Sequence, residues 1–556
     1  MSSELLLFNG RIHTMDPRAP LASAIAIREG RVVRVGDEDA ARDALGPDRE
    51  EFDLEGRCAV PGLTDSHVHF AWFAHTLEEV DAGAPSLEES VSRVRDRAER
   101  SAPGSWITGS GWDHNVWKDP GGSFPSWEHL DRVSPRNPVA LNARSGHALW
   151  VNSLALRAAG ISASTADSEG GRIVRAGEAA SAPRPAGLLS RASRLQPTGV
   201  LLENAMRLVL RVIPAPSAEE LAGLMRTAQE AAHRAGVTCI HDFDSEIAFR
   251  AFQMLEDRGE LTLRVVKGIP HALLGEAIAL GLRTGFGGER LSVGPVKIFA
   301  DGALGSRTAW LLEPYAQGAR KNPERGIPNG IALMTEEQIF DCISRANSAG
   351  ISCAVHAIGD AAVRAALNAF DRCSRSEGAT GNGPRNRIEH AQLLHPDDLP
   401  RLAQLGIVAS MQPVHATSDM EMAERYWGGR CAGAYAWRSL LDAGTALAFG
   451  SDSPVESLDP LAGIHAAVTR RRPDGSPGPD GWHPAQRISV EEAVRAYTVG
   501  AAWAAGRERD LGCLAPGMRA DLTVLERDIF AIDPQDIKDA GVHATIVGGK
   551  IVYRSG

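Results

Sequence analysis

Two imidazoles lie two residues apart in Asp65-Ser66-His67-Val68-His69, directly after the apolar run Cys58-Ala59-Val60 and a Pro61-Gly62 pair. In an extended segment side chains at i and i+2 point the same way, so His67 and His69 would face one target with Asp65 just behind them. That is a metal-ligand arrangement, but such a pair also arises by accident in a chain this long, and only further ligands raise it above chance. Four later positions offer them. Lys297 stands inside the apolar Gly294-Pro295-Val296-Lys297-Ile298-Phe299, where a buried ammonium is costly unless it is paired or modified. His356 ends Cys353-Ala354-Val355-His356, His390 ends Arg387-Ile388-Glu389-His390, and Asp452 follows Leu447-Ala448-Phe449-Gly450-Ser451. Taken singly, a strand-end histidine is commonly a satisfied hydrogen-bonding group, an Asp after Gly-Ser a turn or cap residue, and a strand lysine a snorkelling edge residue. All four falling at successive strand ends points to one site.

The elements that must position these groups can be read from the pattern. Ala218 to Ala235 reads as a helix with Ser217 as its N-cap and Gly236 as its stop, followed by a strand over Val237 to Ile240. Further strands are expected at Leu261 to Val266, Val293 to Ala300, Ile351 to Val355, Arg387 to Glu389, Ile407 to Met411 and Thr445 to Phe449, with a helix from about Ala361 capped by Asp360. With the strand that ends in His67 this makes eight strands alternating with helices, the pattern of a (β/α)8 TIM-like barrel, whose chemistry sits at the carboxyl ends of the strands. Both chain ends differ from the middle. Ala24 to Val33 around Glu29-Gly30, and Ala544 to Tyr553 around Gly548-Gly549, alternate and turn like hairpins. Residues 1–59 and 505–556 are therefore expected to form one composite small β-sandwich domain, and 60–504 the barrel. A large insertion near the first barrel strand is expected at about 75–215, within which Ser162 to Pro185, rich in Ser, Gly and Ala, reads as a loop.

Composition narrows the partners. A chain of 556 residues exceeds what one core usually serves, and 43% apolar with 23% charged residues is ordinary for a globular protein. The net charge of -11, with Arg470-Arg471-Arg472 as the one notable basic cluster, argues against a nucleic-acid partner. No basic amino-terminal region precedes Leu5-Leu6-Leu7-Phe8, and that run is too short for a signal segment or a membrane span. The seven cysteines include no Cys-x-x-Cys, so reduced thiols, a cytoplasmic location and no membrane partner are expected, with room for a homodimer.

In order along the chain, His67-x-His69, Lys297, His356, His390 and Asp452 resemble the ligand set of the binuclear metal-dependent amidohydrolase superfamily, which includes dihydroorotase, hydantoinase and urease. The resemblance spans nearly the whole chain, since those enzymes also join a barrel to a small sheet domain built from both termini. Gly111-Trp112-Asp113, Gly146-His147-Ala148-Leu149-Trp150-Val151-Asn152, Asp301-Gly302-Ala303-Leu304-Gly305-Ser306 and Ala520-Asp521-Leu522 are similar to the branch that contains N-substituted formamide deformylase, amidohydrolase family 3.

The resemblance implies a division of labour. His67, His69 and Asp452 would hold the more buried of two divalent metal ions, His356 and His390 the other, and Lys297 would bridge them after taking up CO2 as a carbamate. Zinc is the first choice of metal; manganese, iron and nickel suit the same ligand types. A shared hydroxide would attack the carbonyl carbon of a small-molecule amide, with Asp452 shuttling the proton to the leaving amine, so that a non-peptide C–N bond is cleaved. Asp65 would orient a ligand histidine from behind. His147, Arg307 and Trp112 are the expected substrate contacts. Trp112, Trp117, Trp310, Tyr315, Trp427 and Trp437 fall in apparent loops, where they would suit an apolar amide substituent or merely pack the insertion. A mononuclear deaminase without the bridging lysine, and a non-catalytic barrel homologue, remain the competing readings.

Overall fold

The computed structural model describes residues 4–114, 117, 124–143, 148–168, 171–176, 196–305, 307–316, 328–377 and 384–556. Two compact units are formed, Met1–Phe73 with Ala218–Gly556, and Ala74–Ser217.

In the first unit eight parallel strands lie side by side in chain order: β1 (Leu63–Val68), β2 (Val237–Asp242), β3 (Arg264–Pro270), β4 (Leu291–Phe299), β5 (Cys353–Ala357), β6 (Arg387–His390), β7 (Val408–Met411) and β8 (Leu447–Phe449). All six residues of β1 and of β2 are buried, as strands covered on both faces must be. The sheet closes just beyond the ends of its first and last strands. Asp452 N–H donates to His67 O at 2.7 Å, and His69 N–H to Ser453 O at 2.9 Å. Gly450 permits this approach, because a Cβ there would stand 2.5 Å from His67 N. Closure therefore brings the His-x-His segment and Asp452 together.

The helix before β2, Ala218–Arg234, buries Leu221, Ala222, Met225, Ala228, Gln229, Ala232 and His233 on one face. Gln229 also sets where β3 begins. Its Oε1 accepts the N–H groups of Thr262 at 2.7 Å and Leu263 at 3.2 Å, so the strand expected from Leu261 starts only at Arg264. Asp360 is likewise displaced from its expected role. It lies inside the first turn of the helix Asp360–Glu377, and its Oδ1 accepts Leu312 N–H instead of capping.

Strands from both chain ends build two further sheets. One orders Arg31–Gly36, Ala24–Arg28, Glu4–Phe8 and Glu50–Asp53; the other orders Lys550–Arg554, Val542–Val547, Leu522–Leu525, Cys58–Pro61, Arg11–His13 and Leu21–Ala22. Leu5, Leu7, Ile25, Ile27, Leu522, Val524 and Ile546 meet in a common core. Glu29-Gly30 and Gly548-Gly549 turn their hairpins with positive φ at both residues, as two-residue turns of that hand require. Asp521 bonds Arg264 at the start of β3 (Nε–Oδ2 2.5 Å), both side chains being buried, and accepts Gly548 N–H at 2.7 Å. The Ala-Asp-Leu motif thus serves architecture.

The unit Ala74–Ser217 holds a six-stranded sheet in the order Gly171–Arg175, Pro197–Glu203, Ala148–Val151, Val139–Ala143, Ile107–Trp112 and Val80–Asp81. Gly171–Arg175 falls within the stretch read as a loop: Ile173 is fully buried there, enough apolar content to make a strand. Asn152 ties this unit locally, its Oδ1 accepting Val139 and Ala155 N–H groups at 3.0 Å each. Six of the seven cysteines are buried, and Cys513 is half-buried. Among the described residues no helix is long and apolar enough to cross a membrane.

Candidate metal centre

His67, at the end of β1, is fully buried and committed at both ring nitrogens. Nδ1–H donates to Glu389 Oε2 at 2.5 Å; Nε2 lies 3.1 Å from Lys297 Nζ and 3.6 Å from Asp452 Oδ1. A carboxylate on Nδ1–H fixes the tautomer and leaves the Nε2 lone pair as a ligand. Glu389 is in turn paired with Arg387, whose other nitrogens donate to Ser66 O at 2.8 Å and His241 Nδ1 at 2.9 Å. His69 repeats the scheme. Its Nδ1 is 3.3 Å from Asp244 Oδ1 and its Nε2 3.5 Å from Asp452 Oδ1. Asp244 Oδ2 accepts Ala71 and Trp72 N–H groups at 2.6 and 3.3 Å, while the buried Lys267, 3.1 Å from Asp242, holds Asp244 O at 2.6 Å.

Across the mouth of the barrel, His356 Nε2–H donates to Gly302 O at 3.1 Å, and its ring lies 4.5 Å from that of His390 between centroids. His390 Nδ1–H donates to Gln412 Oε1 at 2.8 Å. His390 and Asp452 both have positive φ, 72° and 59°, an uncommon conformation for non-glycine residues that the strand-end hydrogen bonds hold in place. His415, on the helix Pro413–Trp427 after β7, points Nε2 at Asp452 Oδ2 from 3.8 Å.

Two groups of donor atoms result. His67, His69 and Asp452 offer one atom each, all within 4.8 Å of one another, and His390, His415 and Asp452 do the same. Imidazole and carboxylate donors of this kind suit a divalent transition-metal ion. The first set is the one the ligand pattern implies and suits a divalent ion; in the second, among the described residues, His390 and Asp452 stand with His415, and His356 belongs to neither set.

Electrostatics favour neutral donors. Burial, with Lys297 adding to it, holds His67 well below the usual histidine range and His356 at about 3; burial and then His356 do the same to His390. Neutral imidazole is the form that binds metal. His69 differs: burial pulls it down, but Asp244 and Asp452 outweigh that and raise it. Lys297, 3% exposed, is lowered by burial to about 8. At that value about a tenth of the amine is neutral at pH 7, against well under a thousandth for an ordinary lysine. The neutral amine is the form that reacts with CO2.

The six expected ligand positions, His67, His69, Lys297, His356, His390 and Asp452, thus come together at the carboxyl ends of β1, β4, β5, β6 and β8. Asp65 sits beneath them but reaches the backbone. It accepts His67 N–H at 3.1 Å, Ser451 N–H at 2.9 Å and Ser451 Oγ–H at 2.5 Å, so it fixes the segment carrying Asp452 instead of a histidine ring. Burial raises it to about 7. Arg307 lies on the loop after β4 with its guanidinium 5.7 Å from the Tyr426 ring. Trp112, expected to touch substrate, is a core residue of the Ala74–Ser217 unit: 1% exposed, beside Trp117 and Trp150, with Nε1–H donating to Leu141 O at 2.8 Å. Trp427 and Trp437 are buried in helices, Trp117 and Tyr315 are buried too, and of that aromatic set Trp310 alone is half-buried. These rings pack cores because their large apolar area outweighs any gain from facing a site. His147 lies outside the described residues.

Glu389, Asp244 and His415 were not singled out from sequence. Glu389 had a signal: Arg387 and Glu389 at i and i+2 of one short strand share a face, and two buried charges must find each other. Asp301 had one in its loop motif. Its carboxylate accepts the N–H groups of Ile358, Gly359 and Trp310 at 2.8 to 3.0 Å, joining the loops after β4 and β5.

The model of the Amidohydrolase family matches residues 50–553. Protein LONG AFTER FAR-RED 3 of Arabidopsis thaliana is 35% identical over 99% of this chain and 92% of its own length. N-substituted formamide deformylase of Arthrobacter pascens is 28% identical over 99% of this chain and 98% of its own. Among solved structures, an uncharacterized metal-dependent hydrolase from Pyrococcus furiosus is 31% identical with a TM-score of 0.76, covering 95% of this chain and 100% of its own.

Proposed function

The chain belongs to the Amidohydrolase family, and from that premise we propose that it is a metal-dependent hydrolase that cleaves a non-peptide C–N bond, in an N-substituted formamide or a related small amide. The observation that carries this reading is the pair of oriented histidines: Glu389 on His67 Nδ1 and Asp244 on His69 Nδ1 aim both Nε2 atoms at Asp452 Oδ1. His67, His69 and Asp452 would hold one divalent ion, zinc first among the candidates. His356 and His390 would hold the second, and Lys297, as its carbamate, would stand between them. Bound there, such ions acidify water and polarise a carbonyl oxygen.

The chain's own residues do the rest. Asp452 presents a carboxylate with 12% of its side chain exposed, the least enclosed of the acids at the barrel mouth apart from Asp244, which is occupied by His69. It takes a proton from the water that adds to the amide carbon and returns it to the departing nitrogen as the C–N bond breaks, giving a carboxylate and an amine. Asp65 and the Asp452 N–H bond to His67 O keep that carboxylate in register with the histidines. Lys297 supplies a buried, part-neutral amine, its Nζ 4.6 and 5.1 Å from the ring centroids of Phe243 and Phe299, and that amine is the group that would take up CO2.

Similarity to N-substituted formamide deformylase supports the formamide end of the substrate range. The test is a panel of N-substituted formamides, N-acyl amines, hydantoins and aminopurines given to metal-depleted and reloaded protein. Formate and amine release that returns with metal is expected. Ammonia release from an aromatic amine, with one metal per chain, would replace this reading with a mononuclear deaminase, and inertness of the loaded protein towards the whole panel with a non-catalytic barrel.

A further inference from the structure

We infer that His415 is a metal ligand of this chain, a seventh protein donor placed on the second ion by the helix after β7. The inference rests on the two-ion reading above and adds to it a residue from a strand end that the expected ligand pattern leaves out.

Four observations carry it. His415 is 7% exposed, and its Nε2 is buried with no hydrogen-bond partner. A buried imidazole nitrogen left bare costs free energy, so something is required to satisfy it. That nitrogen points at Asp452 Oδ2 from 3.8 Å, and His390, His415 and Asp452 each offer one donor atom, all within 4.8 Å of one another. Asp452 is thereby shared between two donor sets, Oδ1 facing His67 and His69 and Oδ2 facing His415.

The tethering of the rings is the third point. His390 Nδ1 is bonded to Gln412 at 2.8 Å, and His415 Nδ1 to Gln392 at 3.2 Å, both glutamines being buried. The two imidazoles stack with 16° between their planes and 6.1 Å between centroids. Each is therefore fixed through Nδ1 and has Nε2 left over, the arrangement a ligating histidine needs. The Gln392 oxygen has no partner in its present orientation, and a half-turn of the amide places it on His415 Nδ1–H, leaving the Nε2 lone pair for a cation. Fourth, His356 has its Nε2 on the Gly302 carbonyl, so it offers only Nδ1 to the second ion, and a further histidine donor completes a sparse set.

The test is metal binding by the full-length protein, read without substrate. Zinc content is measured after dialysis against a weak chelator, and absorption spectra are recorded while metal-free protein is titrated with cobalt(II). Wild type is expected to take two equivalents. His415→Phe should keep the first with unchanged affinity and bind the second at least 100-fold more weakly. His415→Cys is smaller, spares the fold if the phenylalanine does not fit, and should add a thiolate-to-cobalt charge-transfer band in the near ultraviolet with the second equivalent. Two tight equivalents in His415→Phe, or two bound cobalt ions without that band in His415→Cys, would overturn the inference and leave the two-ion reading standing. One equivalent or none in wild type would overturn both.

Discussion

Glu389→Gln separates what holds the fold from what orients the metal centre. The substitution keeps the shape of the side chain and removes its charge. It acts in two places, because Glu389 faces two ways. Its Oε1 neutralises Arg387, and both side chains are at most 1% exposed. Breaking a buried pair from one side leaves an uncompensated charge and costs about 3–5 kcal/mol. Its Oε2 fixes the Nδ1–H tautomer of His67. Loss of such an orienting carboxylate typically weakens metal binding 10–100-fold, about 1.4–2.7 kcal/mol. The two effects part company in the double variant Arg387→Met with Glu389→Gln. Removing both charges should return most of the lost stability, less about 1–3 kcal/mol for Ser66 O and His241 left without their guanidinium donor. Metal affinity should stay low, since nothing restores the carboxylate on His67. Urea unfolding of metal-free protein gives the first quantity and zinc competition against a chelator the second. Zinc affinity in Glu389→Gln within twofold of wild type would refute the assignment of Glu389 as the group that aims His67.

Other consequences are open to simpler tests. Gly450→Ala places a Cβ 2.5 Å from His67 N and 2.7 Å from Asp65 Oδ1, so zinc binding and hydrolysis should fall at least tenfold while the far sheets keep their circular dichroism. Asp521→Asn leaves Arg264 buried without its carboxylate, and should lower stability by about 3–5 kcal/mol in urea unfolding without changing metal content. His233 is held at about 4 by burial, below its usual 6.5. Its folded value is depressed, so the unfolded chain binds the extra proton, and stability should fall as pH drops from about 6.5 towards 4, by up to roughly 3 kcal/mol. His233→Gln should flatten that part of the pH–stability curve; an unchanged slope would count against it.

The barrel was legible because its strands are short apolar runs closed by polar residues, and eight of them alternate with helices; β2, β5 and β6 lie within two residues of their expected positions. The start of β3 was not legible, since the competitor for its first amides is Gln229, a side chain on the helix before β2. His67, His69, His356, His390 and Asp452 could be picked out because they stand at strand ends, and Lys297 because a charge interrupts an apolar strand. Asp244 and His415 could not. Each acts from a loop or helix whose approach to the site depends on how the barrel closes, a long-range fact with no local pattern. The aromatic residues misled for the opposite reason. A tryptophan between Gly and Asp looks like a loop residue, yet Trp112 ends a strand and fills a core.

Anomalous diffraction from crystals of the metal-loaded protein tests directly whether two divalent ions, bridged by a modified lysine, sit at the carboxyl end of the barrel. Two anomalous peaks are predicted, one beside His67, His69 and Asp452 and one beside His356 and His390, with density extending beyond Lys297 Nζ between them. A single peak with an unmodified lysine, or no peak among these side chains, would contradict it.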